Sequence, residues 1–88
     1  MATLRLQVVS LDGVVYDELD IRQVNLKSGD GEITILANHS PLITPLMDGV
    51  LKITKASGVE EVETSRGVVE VRPNSEVVVL VNTAKRKK

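Results

Sequence analysis

Hydrophobic and polar residues alternate with a period of two in several short stretches of the chain. In residues 4–8, apolar side chains at every second position are separated by Arg5 and Gln7. The same alternation recurs at residues 24–26, 50–55, 59–64 and 69–72. A period of two places alternate side chains on opposite faces of a β-strand, whereas a helix would show a period of 3.6, which is not sustained anywhere. The pattern therefore predicts several half-buried strands.

One apolar run is continuous rather than alternating. Residues 77–81 read Val-Val-Val-Leu-Val, which is typical of a strand covered on both faces, and we expect this strand to be central in its sheet. Turn-forming residues separate the predicted strands at intervals of about 8 to 17 residues. They include Asp12-Gly13, Ser28-Gly29-Asp30-Gly31, Asp48-Gly49, Ser57-Gly58, Arg66-Gly67 and Pro73-Asn74-Ser75. Short strands with frequent turns predict an all-β, antiparallel sandwich or barrel.

Composition supports the β assignment. The 88 residues include 15 Val, 10 Leu and 5 Ile but only 4 Ala, 1 Tyr and no Phe or Trp. β-Branched side chains lose rotamer freedom in helices and pack well on pleated sheets. A chain of this length forms one domain, and it contains neither an apolar run of about 20 residues nor the apolar segment of a signal peptide. We therefore expect a single soluble, unexported domain.

Charge is unevenly distributed along the chain. Residues 1–84 hold 7 basic and 12 acidic side chains, a balance of −5, whereas residues 85–88 are all basic. This asymmetry predicts an acidic folded domain over residues 1–84 and a solvated basic tail over residues 85–88. The tail could attract phosphates, but Tyr16 is the only aromatic side chain on which a base could stack, so we do not predict nucleic-acid binding.

The sequence offers little catalytic chemistry. It has no cysteine and one histidine, His39, and it contains none of the usual nucleophile, phosphate-binding or zinc motifs. The acidic clusters at residues 17–20 and 60–63 could suggest a metal site, but Glu61 and Glu63 flank Val62 on a predicted strand and fit a solvated face better. We expect no enzyme activity, no metal, no cofactor and no small-molecule substrate.

A carrier module is an alternative that the all-β pattern alone leaves open. Lipoyl and biotinyl carrier domains are also small, aliphatic and acidic, and they present a modified lysine at the tip of a hairpin. Here Lys52 and Lys55 lie within or at the end of a predicted strand and Lys27 precedes a glycine turn, without the flanking residues of a carrier motif. A generic β-sandwich binding or carrier module remains the second interpretation.

Four segments in order carry a resemblance to a known family. They are residues 6–10, 31–42, 49–53 and 79–84, and the most specific is GEITILANHSPL at residues 31–42. The chain closely resembles the N-terminal β-sandwich domain of the epsilon subunit of F-type ATP synthases over nearly its whole length. The resemblance implies a flattened ten-stranded antiparallel β-sandwich that has no catalytic activity of its own.

The resemblance also implies a function within a rotor. Domains of this family form part of the central stalk, where they fasten the gamma subunit to the c-ring so that proton or sodium-ion flow is coupled to ATP synthesis. The implied location is peripheral, on the cytoplasmic face of a bacterial inner membrane, with the stromal face of the thylakoid as a less favoured alternative. Contact with the membrane would occur only through the complex.

The resemblance assigns residues to three interfaces. The c-ring-facing turn corresponds to Ser28, Gly29, Asp30, Gly31 and Glu32, where Glu32 could pair with arginine side chains of the ring. The loop at the gamma and ring interface corresponds to Asn38, His39, Ser40, Pro41 and Leu42. A gamma-facing segment corresponds to Val81, Asn82, Thr83 and Ala84.

The sequence departs from the family pattern in two respects. Most members continue after the last of these segments into a helical hairpin, which has no counterpart here, so we do not expect inhibition or ATP binding through such a hairpin. Both a naturally short member and a shortened chain fit this difference. Asn38 stands where the family often has glycine, and asparagine tolerates a positive φ angle almost as well.

Overall fold

The computed structural model describes residues 2–29 and 31–87, and they form strands and turns without a helix. The described residues contain nine β-strands. These are β1 (Leu4–Ser10), β2 (Gly13–Ser28), β3 (Gly31–Leu36), β4 (Leu42–Leu46), β5 (Gly49–Lys55), β6 (Gly58–Thr64), β7 (Gly67–Arg72), β8 (Glu76–Val81) and β9 (Ala84–Lys87). The expected all-β class is confirmed.

The strands form two layers that share β2. In the first layer, β4, β7, β8 and β1 follow one another, and β1 pairs with residues 13–21 of β2. In the second layer, residues 21–28 of β2 pair with β3 on one side and β5 on the other, and β6 and β9 continue the sheet. Register shifts on both sides of the bend, together with a φ angle of 62° at Asp20, let β2 pass from one layer to the other.

Two details of the expected ten-stranded antiparallel sandwich are wrong. The strand count over the described residues is nine, because β2 continues through the bend at Asp20 as a single strand. The pairing is mixed, because β1 lies parallel to β8, with Arg5 opposite Glu76 and Val9 opposite Leu80. Parallel neighbours need a long connection, and here nearly the whole chain runs between the two strands.

Residues 85–88 were expected to form a solvated basic tail, but the described ones belong to a strand. Residues 85–87 lie in β9, which pairs antiparallel with β6 from Thr64 opposite Ala84 to Glu61 opposite Lys87. Their backbone is therefore held in the sheet, although their side chains are exposed. Lys88 and Met1 lie outside the described residues.

The core fills the space between the two layers. Alternate residues are buried in β1, β5 and β7, as the period of two predicts, and the buried residues of eight strands form one cluster with Tyr16. In β8, Val77, Val78 and Val79 are all buried while Leu80 is 47% exposed, so the strand is covered on both faces over only part of its length. It is central in its layer, as expected, because it pairs with both β1 and β7.

The turns collect at two ends of the first layer. At one end, Ser28 lies opposite Leu46, Leu46 opposite Gly67, and Gly67 opposite Val81. We call this the Gly67 end. At the other end, which we call the Ser75 end, the backbone N–H of Arg5 donates to the carbonyl of Ser75 at 2.9 Å.

Candidate interaction surfaces

The turn predicted to face a c-ring is a tight hairpin between β2 and β3. Ser28 is buried, and its hydroxyl donates to the carbonyl of Gly31 at 3.0 Å. Gly31 has a φ of 122°, a conformation that side chains rarely permit. Glu32 is exposed in the ladder opposite Lys27. The hairpin thus presents an acidic side chain beside the turn; Asp30 lies outside the described residues.

The segment predicted to face gamma lies at the same Gly67 end. Ser65 fixes it, because its hydroxyl accepts hydrogen bonds from the backbone N–H groups of Asn82 and Thr83, each at 3.1 Å. Val81 is 7% exposed and belongs to the core, and Ala84 is half-buried against the core. Of the four residues in this segment, Asn82 and Thr83 are therefore the exposed ones.

The loop predicted for the gamma and ring interface lies at the Ser75 end. Asn38 has a φ of 64°, which explains how asparagine replaces glycine there. Its backbone N–H donates to the hydroxyl of Ser75 at 2.9 Å, and Nδ1 of His39 donates to the carbonyl of Ser40 at 2.7 Å. Pro41 and Leu42 are exposed. The length of β3 separates this loop from the 28–32 turn, so the structure does not bring these two predicted sites together.

The outer face of the first layer carries a row of apolar residues that crosses five strands. Pro45 lies opposite Val68, Val68 opposite Leu80, Leu80 opposite Val9, and Val9 opposite Val14. We call this row the apolar stripe. Val68, Leu80 and Val14 are 41%, 47% and 59% exposed. The stripe was not predicted, although each of its residues occupies the outward position of a strand in which polar side chains are usual.

Further exposed apolar residues extend the apolar stripe at both sides. Ile43, two residues before Pro45 on the same face of β4, is 71% exposed, and Leu11 in the turn after β1 is 82% exposed. Leu11 also lines an open groove with Leu80 and Asn82. The apolar surface therefore continues from the side of the 38–42 loop to the exposed part of the 81–84 segment.

The outer face of the second layer is mainly polar, although Leu36 and Val59 are also exposed on it, at 53% and 60%. One row runs from Thr34 through Asn25, Lys52 and Glu61 to Lys87, each residue opposite the next. Asn25 donates from Nδ2 to the hydroxyl of Thr34 at 2.9 Å. Oppositely charged neighbours across strands stabilise such a face in water. The outer face of the first layer is thus more apolar than that of the second. In β6, Val62 is buried while Glu61 and Glu63 lie on the outer face, so their expected solvated position is confirmed.

The first layer also has a charged region away from the apolar stripe. Arg5 donates two hydrogen bonds to the carboxylate of Asp17, at 3.1 and 3.0 Å, and Gln7 donates a third at 3.2 Å. The hydrogen bonds from Arg5 hold the pKa of the Asp17 carboxyl below its usual range. These side-chain hydrogen bonds join β1 to β2.

Residues 2–29 and 31–87 contain neither a metal site nor a membrane-spanning helix. No group of three or more His, Cys, Asp or Glu side chains there is placed to hold a metal ion. Within the same residues no helix is long and apolar enough to cross a bilayer.

The family comparison decides among the interpretations of this sandwich. The model of the family described as "ATP synthase, Delta/Epsilon chain, beta-sandwich domain" matches residues 3–87. The chain belongs to this family. The resemblance seen in the four sequence segments is thereby confirmed, and so is the two-layered sandwich architecture.

Curated relatives of this delta/epsilon β-sandwich domain include bacterial ATP synthase epsilon chains. The epsilon chain of Alkalihalophilus pseudofirmus is 42% identical over 84 residues, which cover 96% of this chain and 62% of the relative. That of Bacillus subtilis is 38% identical over 84 residues, with the same coverage. The chain thus spans about 62% of the length of these relatives.

Solved structures confirm the fold of the delta/epsilon domain. A chain in the structure of the Euglena gracilis mitochondrial ATP synthase, OSCP/F1/c-ring in rotational state 1, matches 98% of this chain with a TM-score of 0.88 and 20% identity, over 54% of its own length. A chain of the central stalk/c-ring structure of the Tetrahymena thermophila mitochondrial ATP synthase matches 92% with a TM-score of 0.76 and 15% identity, over 64% of its own length.

The lysines give the carrier alternative no support in this delta/epsilon domain. Lys52 lies in the middle of β5, and Lys55 is ion-paired with Glu18 and Glu60. Lys27 lies within β2, opposite Glu32. Each is in a strand, whereas a carrier lysine would be at the tip of a hairpin.

Proposed function

We propose that this domain is a non-catalytic rotor component of an F-type ATP synthase, which fastens the gamma subunit to the c-ring and so couples proton or sodium-ion flow to ATP synthesis. Membership of the delta/epsilon family supports the proposal, as do the bacterial epsilon chains among the relatives. The observation that carries it is the apolar stripe. An outward-facing apolar row across five strands suits a protein partner better than solvent.

The apolar stripe is the surface that we assign to gamma. It adjoins Asn82 at the Gly67 end, and Ile43 extends it toward the 38–42 loop. Two of the three predicted interface segments therefore border one continuous apolar face. Because the 38–42 loop lies far from the 28–32 turn, we assign that loop to gamma rather than to the ring.

Size-exclusion chromatography with the gamma subunit from the same source tests this assignment. The wild-type domain should elute with gamma as a one-to-one complex, and Leu80→Lys should elute separately, because the new charge would be buried without a partner in the interface. Thr34→Lys is the matched control on the polar outer face and should still elute with gamma. Co-elution of Leu80→Lys as efficiently as wild type would refute the assignment, provided that circular dichroism shows both variants folded.

The 28–32 turn is the part that we assign to the c-ring. Glu32 is exposed beside the turn, and a carboxylate that meets a guanidinium of the ring would form a charge-assisted hydrogen bond. Glu32→Lys should therefore weaken the coupling of ATP hydrolysis to ion pumping in the assembled enzyme without unfolding the domain. Glu63→Lys makes the same charge change at an exposed position of β6 and should leave coupling unchanged. Full coupling in Glu32→Lys would refute this contact.

The location that we propose follows from the assembly. A component of this rotor lies at the cytoplasmic face of a bacterial inner membrane and touches the membrane only through the complex. Cell fractionation checks this: the domain should sediment with membranes when the rest of the synthase is present, and it should be released when the gamma subunit is deleted. Retention on membranes without gamma would contradict this expectation, and it would mean that the c-ring contact or the membrane itself is sufficient to hold the domain.

A further inference from the structure

Four charged side chains close the gap between the two layers beside β9. They stand at inward-facing positions, because Glu18 is opposite buried Leu6, Lys55 opposite buried Ile21, Glu60 opposite buried Ile53, and Arg86 opposite buried Val62. Each strand therefore continues its core-facing row into a charged residue. The sequence alternation predicts strands at residues 50–55 and 59–64 but not at residues 84–87, and it gives no sign that the four charges meet.

The four side chains form a closed ring of alternating charge. Nζ of Lys55 is paired with the carboxylates of Glu18 and Glu60, the latter at 3.4 Å. Arg86 is paired with the second oxygen of each carboxylate, at 3.3 Å to Glu18 and 3.0 Å to Glu60. The ring joins β2, β5, β6 and β9. We call these four residues the charge ring.

Tyr16 lies directly beneath the charge ring. Its side chain is 1% exposed, and its hydroxyl donates to Glu60 at 2.7 Å. The guanidinium of Arg86 lies 4.7 Å from the centre of the aromatic ring, within the range of a cation–π interaction. Burial raises the pKa of the Tyr16 hydroxyl, and the hydrogen bond from Tyr16 lowers that of Glu60, so the donor and acceptor roles are fixed at neutral pH.

Little else attaches the side chains of β9 to the core. Among its described residues, Ala84 is half-buried against the core, while Lys85 and Lys87 point to the outer face with Glu63 and Glu61. Over residues 2–29 and 31–87, β9 pairs with a single strand, β6, and no second strand pairs with its other edge. A short edge segment with few buried contacts is the kind of unit that opens locally at low free-energy cost.

We propose that the charge ring is a salt-sensitive clasp, and that β9 leaves the sandwich as a unit when Arg86 is released while the other eight strands stay folded. Opening would remove the Arg86 guanidinium from the face of Tyr16 and free the edge of β6. The clasp is independent of the proposed rotor function. It is a conformational device of the sandwich itself, driven by ion pairs that dissolved salt screens.

Native-state hydrogen exchange on the whole chain tests the clasp. Arg86→Gln should raise the exchange rates of the β9 amides at least tenfold while the amides of β1 and β8 exchange as in wild type. Lys85→Gln is the matched control, because it removes one positive charge from the same strand on the outer face, and it should change the β9 rates by less than twofold. Equal β9 rates in the two variants, or an equal rise throughout the chain in Arg86→Gln, would overturn the proposal.

The near-ultraviolet circular dichroism of Tyr16 supplies a second readout, because it is the only aromatic side chain in the sequence. Arg86→Gln should change this signal and Lys85→Gln should not. Raising salt to about 1 M, where the screening length is about 3 Å, should move the wild-type signal toward that of Arg86→Gln and leave the variant almost unchanged. A wild-type signal that does not change with salt would show that the ion pairs do not control the contact between Arg86 and Tyr16.

Discussion

Gly67 occupies a position in β7 that admits no side chain. It lies between Leu46 of β4 and Val81 of β8, and a Cβ atom built on it would come within 2.0 Å of the carbonyl oxygen of Leu80. The Leu80 carbonyl is part of the backbone of β8, so it cannot rotate away from the added methyl group as a flexible side chain could. The residue therefore sets the spacing of the strands at the end where the 28–32 turn and the 81–84 segment lie.

Gly67→Ala should lower the free energy of unfolding by about 1 to 3 kcal/mol, the usual cost of overpacking, because β8 must shift to admit the methyl group. Gly29→Ala is the control, since its Cβ would meet nothing within 4 Å, and it should change stability by less than about 0.5 kcal/mol. Urea denaturation measures both values. An equal effect of the two substitutions would show that the Gly67 contact is not limiting.

Val79 is the residue that tests the placement of the central strand. Its side chain is fully buried and lies between Val8 of β1 and Val69 of β7. Val79→Asp should cost about 4 kcal/mol or more at neutral pH, because a buried, unpaired carboxyl must be either charged without water or protonated far above its usual pKa. That is a large part of the roughly 5 to 15 kcal/mol that stabilise a typical domain.

Circular dichroism and a melting curve check this prediction. Val79→Asp should lack a cooperative unfolding transition, whereas Leu80→Asp, at the next and outward-facing position of β8, should keep a β-sheet spectrum. A normal melting curve for Val79→Asp would contradict the strand placement.

At the scale of single elements, the sequence predicted some strands well and others not at all. Alternation identified β1, and the continuous apolar run identified β8, because burial of one or both faces leaves its mark in the order of residues. β9 was missed since its basic residues have no apolar period; it is held by backbone pairing with β6 and by ion pairs. Such partners are distant in sequence and become visible only in the fold.

The candidate surfaces also differ in how far the sequence predicts them. The 28–32 turn and the 38–42 loop are correctly predicted as non-strand connections or hairpin ends, because glycine, asparagine and proline have local conformational requirements. The apolar stripe depends on which outward-facing residues of five strands become neighbours. It requires the registers of all four pairings between them, including the parallel one between β1 and β8, and the local sequence pattern does not contain these registers.

The hydrogen-bonded pair of Arg5 and Asp17, which joins β1 to β2, predicts how stability depends on pH. The hydrogen bonds from Arg5 and Gln7 lower the pKa of Asp17 in the folded state. A depressed pKa adds stability above the unfolded value of about 3.9, and that stability is lost as pH falls through the folded value. Wild type should therefore lose stability below about pH 4, and Asp17→Asn should lose less over the same range.

Urea denaturation at neutral pH and at about pH 2.5 measures the two losses. Arg5→Gln removes the principal donor and should reduce the pH dependence in the same direction as Asp17→Asn, and the double variant should add little to either. An Arg5→Gln variant with the full wild-type pH dependence would show that another carboxyl carries the effect.

At the scale of the whole molecule, the two terminal strands have unequal importance. β1 lies between β2 and β8, and it brings Leu4, Leu6 and Val8 into the core. β9 is at an edge, and its removal leaves the pairing of the other strands complete. Full burial of one aliphatic side chain contributes about 1.5 to 3 kcal/mol, so the three from β1 supply much of the stability of a typical domain.

Truncation from each end tests this difference. Deletion of residues 1–10 should abolish the fold, because β2 and β8 lose their shared neighbour and the first layer can no longer close. Deletion of residues 84–88 should leave a folded, less stable domain with an altered near-ultraviolet signal from Tyr16, since Arg86 no longer covers the ring. Dispersion of amide resonances in an NMR spectrum distinguishes the folded from the unfolded product. A folded chain without β1 would mean that β8 can close the sandwich alone, and an unfolded chain without β9 would mean that the charge ring is essential to the core rather than a clasp at its edge.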